Sequence, residues 1–267
     1  MQLNRIMAIV LRQYYLLRRS LTRLIPLFVW AAIDIVLWGF ITRFLNNITS
    51  ESHNFVPMFL GAVLLWDFLV RVMQGTSMPF MEDAWSRNFL NFFATPLTIG
   101  EYACGLVITS VATSALGLAV MMLLATVVFK LSFFAYGLIF IPFLFILFLF
   151  GIALGIFGCS LLLRLGPAAE WFIWPIPALL SPFACVFYPL SILPGWMQII
   201  SHLLPPTYVF ESMRKIVAGG SASQSDMLIG LGLAIAYICL ACWTFTRVYH
   251  KAVRTGLIAR YSAESVS

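Results

Sequence analysis

The chain has 267 residues, of which 62% are hydrophobic and only 10% are charged, whereas a typical soluble domain has about 25% charged residues. This balance excludes a disordered chain, a disulfide scaffold and an ordinary soluble enzyme, and it predicts a polytopic membrane protein. The net charge is +6. Because the basic residues flank apolar stretches, we expect them to meet an anionic membrane lipid surface and not nucleic acid.

Residues 3–23 predict an amphipathic helix along the inner leaflet. Arg5, Arg12 and Arg19 recur every seven residues on one face, while apolar residues recur at steps of three and four on another. Such a helix buries its apolar side at the acyl boundary. Two interpretations remain open: the helix only anchors the protein, or it also contacts a cytosolic partner.

Six apolar stretches predict transmembrane helices, and the fold class is therefore all-α. Crossing requires about 20 apolar residues, and within lipid each backbone amide must bond inside its own segment. Lys130 is the only charged residue between 102 and 163, and it marks the turn between the third and fourth crossings. The predicted crossings are 24–45, 55–74, 102–129, 131–163, 171–188 and 227–246.

The basic residues predict the orientation of these crossings. With the N-terminus inside, eleven of the sixteen Lys and Arg residues lie in inner segments and four in outer ones, and Arg71 lies within a crossing. An excess of basic residues marks the cytoplasmic side. We therefore expect both termini in the cytoplasm and one domain over residues 1–267.

Three charged residues lie inside the first two crossings. Asp34 is about 15 Å into the first crossing, and Asp67 and Arg71 stand four residues apart, on one face of the second. Such groups usually face the helix bundle or water. Either Arg71 neutralises Asp67 or Asp34 and holds the helices together, or the three residues form a polar lining for a translocation path.

The inner connection between the second and third crossings predicts a short amphipathic helix within residues 80–96. Glu82 and Asp83 suit a helix N-terminus, and Pro96 ends the helix. The helix is expected to project an aromatic face into the cytoplasm, where it either lies on lipid or docks onto a soluble protein. The aromatic residues are Trp85, Phe89 and Phe92.

The connection over residues 189–226 predicts two short outer helices. Its apolar pieces, 196–204 and 208–217, are too short to cross the bilayer. We expect them to enter the outer leaflet and return, with protein or water shielding the non-helical backbone. The segment is either a simple cap over the bundle or an outer gate.

Motifs for catalysis are absent from the sequence. It contains no GxxxxGK[ST], no HExxH and no GxSxG, so the chain has no phosphate-binding loop for ATP hydrolysis. We expect no metal or cofactor site in this chain. The sequence favours a conduit or a scaffold over an enzyme.

Two stretches resemble the ABC-2 type permeases of ATP-driven exporters. WSRNFLNFFATPLTIGEY, residues 85–102, is similar to that family's coupling-helix region. FYPLSILPGWMQIISHLLPPTYVFESMR, residues 187–214, is similar to its outer segment. The order of a basic amphipathic helix, six crossings and inner termini also fits. The form more closely resembles the branch that exports polysaccharides and lipid-linked sugars, including nodulation-factor exporters.

The resemblance implies a permease in the bacterial inner membrane that works with two separately made ATP-binding subunits and a second permease, alike or different. ATP and Mg²⁺ would bind to those subunits. The cargo would be a polysaccharide, a lipid-linked glycan or an amphipathic small molecule. The implied ATPase-coupling residues are Trp85, Arg87, Asn88, Phe89 and Phe92. The implied outer-gate residues are Pro189, Pro194, Trp196, Pro205, Pro206, Tyr208 and Arg214.

Two alternatives remain open. One is a proton-driven secondary transporter that uses Asp34, Asp67 and Arg71. The other is a membrane scaffold without transport. Co-purification separates the exporter from both alternatives, because only the exporter needs a stoichiometric soluble ATPase. Transport driven by a pH gradient without ATP would indicate the secondary transporter, and the absence of both results would leave the scaffold.

Overall fold

The computed structural model describes residues 2–48, 55–86, 88–130 and 138–256, and within these ranges the chain is helical with no β-strand. The predicted all-α class is confirmed. The helices are α1 Leu3–Arg19, α2 Leu21–Ile48, α3 Phe55–Trp85, α4 Asn88–Phe93, α5 Ile99–Phe129, α6 Phe140–Leu165, α7 Glu170–Ile173, α8 Ile176–Leu180, α9 Gly195–His202, α10 Pro205–Val217 and α11 Gln224–Arg254.

Five of these helices, α2, α3, α5, α6 and α11, are long and apolar enough to cross a membrane. They match five of the six predicted crossings. The turn at Lys130 is also observed, because α5 ends at Phe129 and Lys130 adopts a left-handed conformation with φ of 57°. Helix α6 begins at Phe140, and residues 131–137 of the predicted fourth crossing lie outside the described residues.

The fifth predicted crossing, 171–188, is not one continuous helix, and that expectation is wrong. The chain forms a 3₁₀ turn over Gly166–Ala169, followed by the short helices α7 and α8. Pro175, Pro177 and Pro182 explain the interruptions, because proline donates no backbone hydrogen bond and its ring crowds the preceding turn. Hydropathy alone did not register these breaks.

Helix α3 continues eleven residues beyond the predicted end at Gln74, to Trp85. The hydroxyls of this extension are satisfied within the helix: Thr76 donates to the Val72 carbonyl at 3.3 Å, and Ser77 donates to the Met73 carbonyl at 3.0 Å. The apolar pattern therefore marked the end of the membrane-like surface and not the end of the helix.

Helices α3 and α6 form the central pair of the bundle, and two glycines allow their close approach. A Cβ atom built on Gly151 would lie 2.9 Å from the Leu69 carbonyl oxygen, and one on Gly155 would lie 2.9 Å from that of Met73. Small residues at such positions let membrane helices pack backbone against backbone. The long helix α3 is thereby fixed against the core along its length.

Helix α1, the predicted amphipathic helix, packs against the beginning of α5. Ile9 and Gln13 are buried, and a Cβ atom on Gly105 of α5 would lie 2.7 Å from Ile9. Leu3 and Met7 of the predicted apolar stripe remain exposed. That exposed stripe is the side suited to lipid.

The outer segment contains the two short helices that the sequence predicts, α9 and α10. Helix α10 begins with Pro205, a residue whose fixed φ suits the first helical position, and it buries Val209, Phe210 and Met213. It packs against α11 and α6. The placement of these helices within a leaflet stays a prediction.

Candidate functional site

Helix α4 is the separate element that follows α3 in the predicted coupling region. It contains only Asn88–Phe93. The expectation that Glu82 and Asp83 begin this helix is wrong, since both lie in the last turn of α3. Asp83 instead accepts hydrogen bonds from Arg12 and Tyr102, which lie on other helices. Arg87 lies outside the described residues.

The aromatic side chains of this region face inward more than the sequence indicates. Phe89 is only 7% exposed, with its ring centre 4.9 Å from that of Phe80 and 6.1 Å from that of Tyr102. Phe92 is half-buried beside Tyr102, whereas Trp85 is 47% exposed. The expectation of one projecting face is therefore wrong for Phe89, which anchors α4 to the core.

Asp83 joins four helices at this end of the bundle. Arg12 of α1 donates a hydrogen bond from each of its two terminal nitrogens to the Asp83 carboxylate, and the Nη1 to Oδ2 distance is 2.8 Å. The Tyr102 hydroxyl of α5 donates to Oδ2 at 2.6 Å, and the Asn88 side-chain amide of α4 donates to Oδ1 at 3.4 Å. We call Arg12, Asp83, Asn88 and Tyr102 the Asp83 junction.

A second carboxylate ties the start of α5 to α1. Thr98 and Glu101 form a capping box, in which each side chain bonds the other's backbone amide. The Glu101 carboxylate also accepts a hydrogen bond from the backbone amide of Gln2 at 2.7 Å, and it lies 3.6 Å from the Arg5 guanidinium. Sequence reasoning missed Asp83 and Glu101 as organising residues, although the Thr-x-x-Glu spacing was a usable signal for the cap.

Both carboxylates belong to a site in which the charges are balanced locally. Asp83 is 2% exposed and Glu101 is 1% exposed. Buried carboxylates are tolerated when they are paired and hydrogen-bonded. Arg12 contributes a further contact, since its guanidinium lies 4.9 Å from the centre of the Phe92 ring. The arrangement can transmit a displacement of α4 to α1, α3 and α5 together.

The three predicted intramembrane charges line one groove of about 600 Å³, between α2, α3 and α5. Arg71 donates through Nε to Asp67 on the same face of α3. Asp34 of α2 is half-buried and lies within electrostatic range of both residues. The groove also reaches Gln13 of α1 and Glu82 at the end of α3.

The predicted gate residues lie around α9 and α10, where polar links close the segment. Arg214 donates to Glu211 at 2.8 Å and to the Val186 carbonyl at 3.3 Å. The Tyr208 hydroxyl donates to the His202 carbonyl at 2.9 Å, and Trp196 is 62% exposed. The prolines set the turns: Pro189 and Pro194 precede short helical segments, and Pro205 and Pro206 open α10.

Five membrane-length helices and a basic amphipathic helix define a multi-pass membrane protein. Residues 6–218 match the ABC-2 type transporter family, and the chain belongs to that family. A comparison with curated proteins finds no match. The family makes this chain a transmembrane permease subunit of an ABC transporter, which is not itself catalytic, and it implies a separate ABC-type ATP-binding subunit as partner.

Proposed function

We propose that this chain is the permease of an ATP-driven exporter and that α4, with the neighbouring Trp85, receives the movement of the ATP-binding subunits. The Asp83 junction carries this proposal, because one buried carboxylate joins the short loop helix to three other helices. An ATP-binding subunit that displaces α4 therefore acts on the bundle and not on an isolated loop.

The direction of transmission follows from α3. This helix runs from Phe55 to Trp85 with Pro79 inside it, so Asp83 and the groove residue Asp67 lie on the same helix, about 24 Å apart at 1.5 Å per residue. ATP can shift the permease only through contacts that differ between its two states. The contacts of α4 are the ones that the ATP-binding subunit can change.

The predicted coupling residues divide into two roles. Trp85 is exposed and supplies the contact surface, with Arg87 proposed beside it. Phe89 is buried and holds α4 in place, while Asn88 and Phe92 connect α4 to Asp83 and to Arg12. Large aromatic residues are common energetic anchors at protein interfaces.

The proposed assembly contains two permeases, alike or different, and two ATP-binding subunits that hold ATP and Mg²⁺. It lies in the bacterial inner membrane with both termini in the cytoplasm. The fifth of the permease's six crossings is the interrupted stretch 171–188, whose prolines leave backbone carbonyl groups that neighbouring helices must satisfy. The excess of basic residues in the inner segments supports this orientation.

The outer segment, residues 189–226, is proposed to dip into the outer leaflet and gate the exit. The buried face of α10 and the link from Glu211 to the Leu190 amide, at 2.7 Å, hold it as one unit over the bundle. The cargo that leaves through this gate is a polysaccharide, a lipid-linked glycan or an amphipathic small molecule.

Co-purification with the ATP-binding subunit tests the proposal. The two proteins are co-expressed, and the amount of ATP-binding subunit retained on tagged permease is measured for Trp85→Glu. The matched control is Trp196→Glu, which places the same charge at an exposed tryptophan of the outer segment. We expect Trp85→Glu to retain at most about one tenth of the wild-type amount, the loss typical of an anchor residue, and Trp196→Glu to retain all of it.

Three results would contradict the proposal. Equal retention by both variants would remove α4 and Trp85 from the interface. Transport by the purified permease alone, driven by a pH gradient without ATP, would favour the secondary transporter. Absence of any soluble ATPase in the wild-type preparation would favour the scaffold.

A further inference from the structure

We propose that the groove between α2, α3 and α5 binds the cargo and that the cargo is a cationic amphiphile, a molecule with one positive centre on an apolar body. The inference rests on the proposed function and specifies its substrate class. It is carried by the charges, one unpartnered hydroxyl and two tryptophans that line the same groove.

The charge of the groove is unbalanced at mid-membrane depth. Two carboxylates, Asp34 and Asp67, face a single guanidinium, Arg71, and the latter is bound to Asp67. Within the described ranges Asp34 makes no hydrogen bond. A carboxylate at this depth needs a positive or hydrogen-bonding partner. The excess negative charge selects a cation.

The second observation is independent of these charges. Ser114 of α5 lines the groove, is only 2% exposed, and its Oγ has no hydrogen-bond partner in the described structure. Buried hydroxyls are nearly always paired. An unpaired one in the wall of a groove therefore points to a polar group of a ligand.

Two tryptophans give the groove its apolar and aromatic character. Trp30 of α2 is 63% exposed and Trp174, beyond α7, is 52% exposed, and both line the groove. Indole faces attract cations and also cover apolar surface. A volume of about 600 Å³ falls in the range typical of small-molecule sites.

The groove also provides a route for such a molecule. It extends from Asp67 to Glu82, a distance of about 22 Å along α3 at 1.5 Å per residue. Its lining includes Gln13 of the amphipathic helix α1, which lies at the proposed inner leaflet. An amphiphile that sits in that leaflet can thus reach Asp34 with its body in apolar surroundings.

Equilibrium binding to the full chain in lipid nanodiscs tests this inference. The probes are tetraphenylphosphonium and tetraphenylborate, which have the same shape and opposite charge, and binding to empty nanodiscs is subtracted. We expect saturable binding of the cation and at least tenfold weaker binding of the anion. Asp34→Asn should weaken cation binding about tenfold, the effect of losing one charge-assisted contact.

Asp226→Asn is the matched control, because it removes one carboxylate that pairs with Lys215 at 2.9 Å and lies outside the groove. Its affinity for the cation should equal that of the wild type. Trp30→Leu provides a second test if Asp34→Asn does not fold. Its exposed side chain makes it tolerant of change, and the cation should bind about fivefold more weakly.

Equal binding of both probes, or no saturable cation binding by the wild type, would overturn the inference. Full affinity in both Asp34→Asn and Trp30→Leu would overturn it as well. Because the probes bind without ATP, such results would leave the co-purification of the ATP-binding subunit intact. The failure of this inference is therefore distinguishable from the failure of the proposed function.

Discussion

The Asp83 junction and the groove both contain buried charge, but they treat it in opposite ways. At the junction, Asp83 is 2% exposed and receives hydrogen bonds from Arg12, Asn88 and Tyr102. In the groove, Asp34 is half-buried and makes no hydrogen bond within the described residues. At the junction the chain satisfies the polar groups, whereas in the groove the Asp34 carboxylate and the Ser114 hydroxyl make no hydrogen bond within the described residues.

The two regions are therefore suited to different roles. A fully satisfied polar network is rigid, because any displacement breaks several bonds together. The junction is therefore suited to transmit movement. A groove with an unpaired carboxylate and an unpaired hydroxyl is suited to bind, since a ligand can supply the missing partners. Substitutions should therefore lower the free energy of unfolding at the junction but not at Asp34 in the groove.

The largest effect on stability is expected for Phe89, the buried aromatic residue of α4. Phe89→Ala should lower the free energy of unfolding by about 3 kcal/mol, because it removes a buried aromatic side chain from the cluster with Phe80 and Tyr102. Trp85→Ala, at an exposed position, should change it by less than about 0.5 kcal/mol. Denaturant titration in detergent compares the two. Similar losses of unfolding free energy in both variants would show that Phe89 and Trp85 do not have separate roles as buried anchor and contact surface.

Asp83→Asn should lower the free energy of unfolding by about 2 kcal/mol, because Arg12 loses its charged partner while staying partly buried. Asp226→Asn, which breaks a more exposed ion pair, should lower it by less than about 0.5 kcal/mol. The same titration measures both. An Asp83→Asn protein as stable as the wild type would mean that the junction is not a structural link.

Tyr102→Phe gives a smaller effect, about 1 kcal/mol, since it removes a single hydrogen bond to Asp83 and keeps the ring that packs against Phe92. In a double-mutant cycle with Asp83→Asn, the combined loss should be smaller than the sum of the two. Simple additivity would place the hydroxyl and the carboxylate in separate environments.

Asp34→Asn should have the smallest effect on stability and the opposite sign. It removes a charge that lies beside Asp67 and makes no hydrogen bond within the described residues, so the free energy of unfolding should stay unchanged or rise by about 0.5 kcal/mol. A loss as large as that of Asp83→Asn would make Asp34 a structural residue, and the two regions would then not differ in the way described.

Much of the fold could be predicted from apolar length and periodicity. The five long helices, the amphipathic helix α1, the turn at Lys130 and the two short outer helices all follow from local sequence. The interrupted stretch 171–188 was wrongly predicted as one helix, because average hydropathy ignores the missing backbone donors of its prolines.

The Asp83 junction could not be predicted in the same way. Arg12 and Asp83 are separated by 71 positions in sequence, and no local pattern brings them together. Asp83 instead resembled a helix-starting acid, and Phe89 resembled an exposed aromatic residue. Only the packing of α1 on α5, and of α5 on α3, determines which way these side chains face.

Site-specific photo-crosslinking can show whether Trp85 contacts the ATP-binding subunit. A benzophenone amino acid replaces either Trp85 or Trp196 in cells that also make the ATP-binding subunit, and the adducts are identified by mass spectrometry. We expect an adduct between position 85 and the ATP-binding subunit, and none from position 196. An adduct from position 196 alone, or none from position 85 in a complex that still co-purifies, would contradict it.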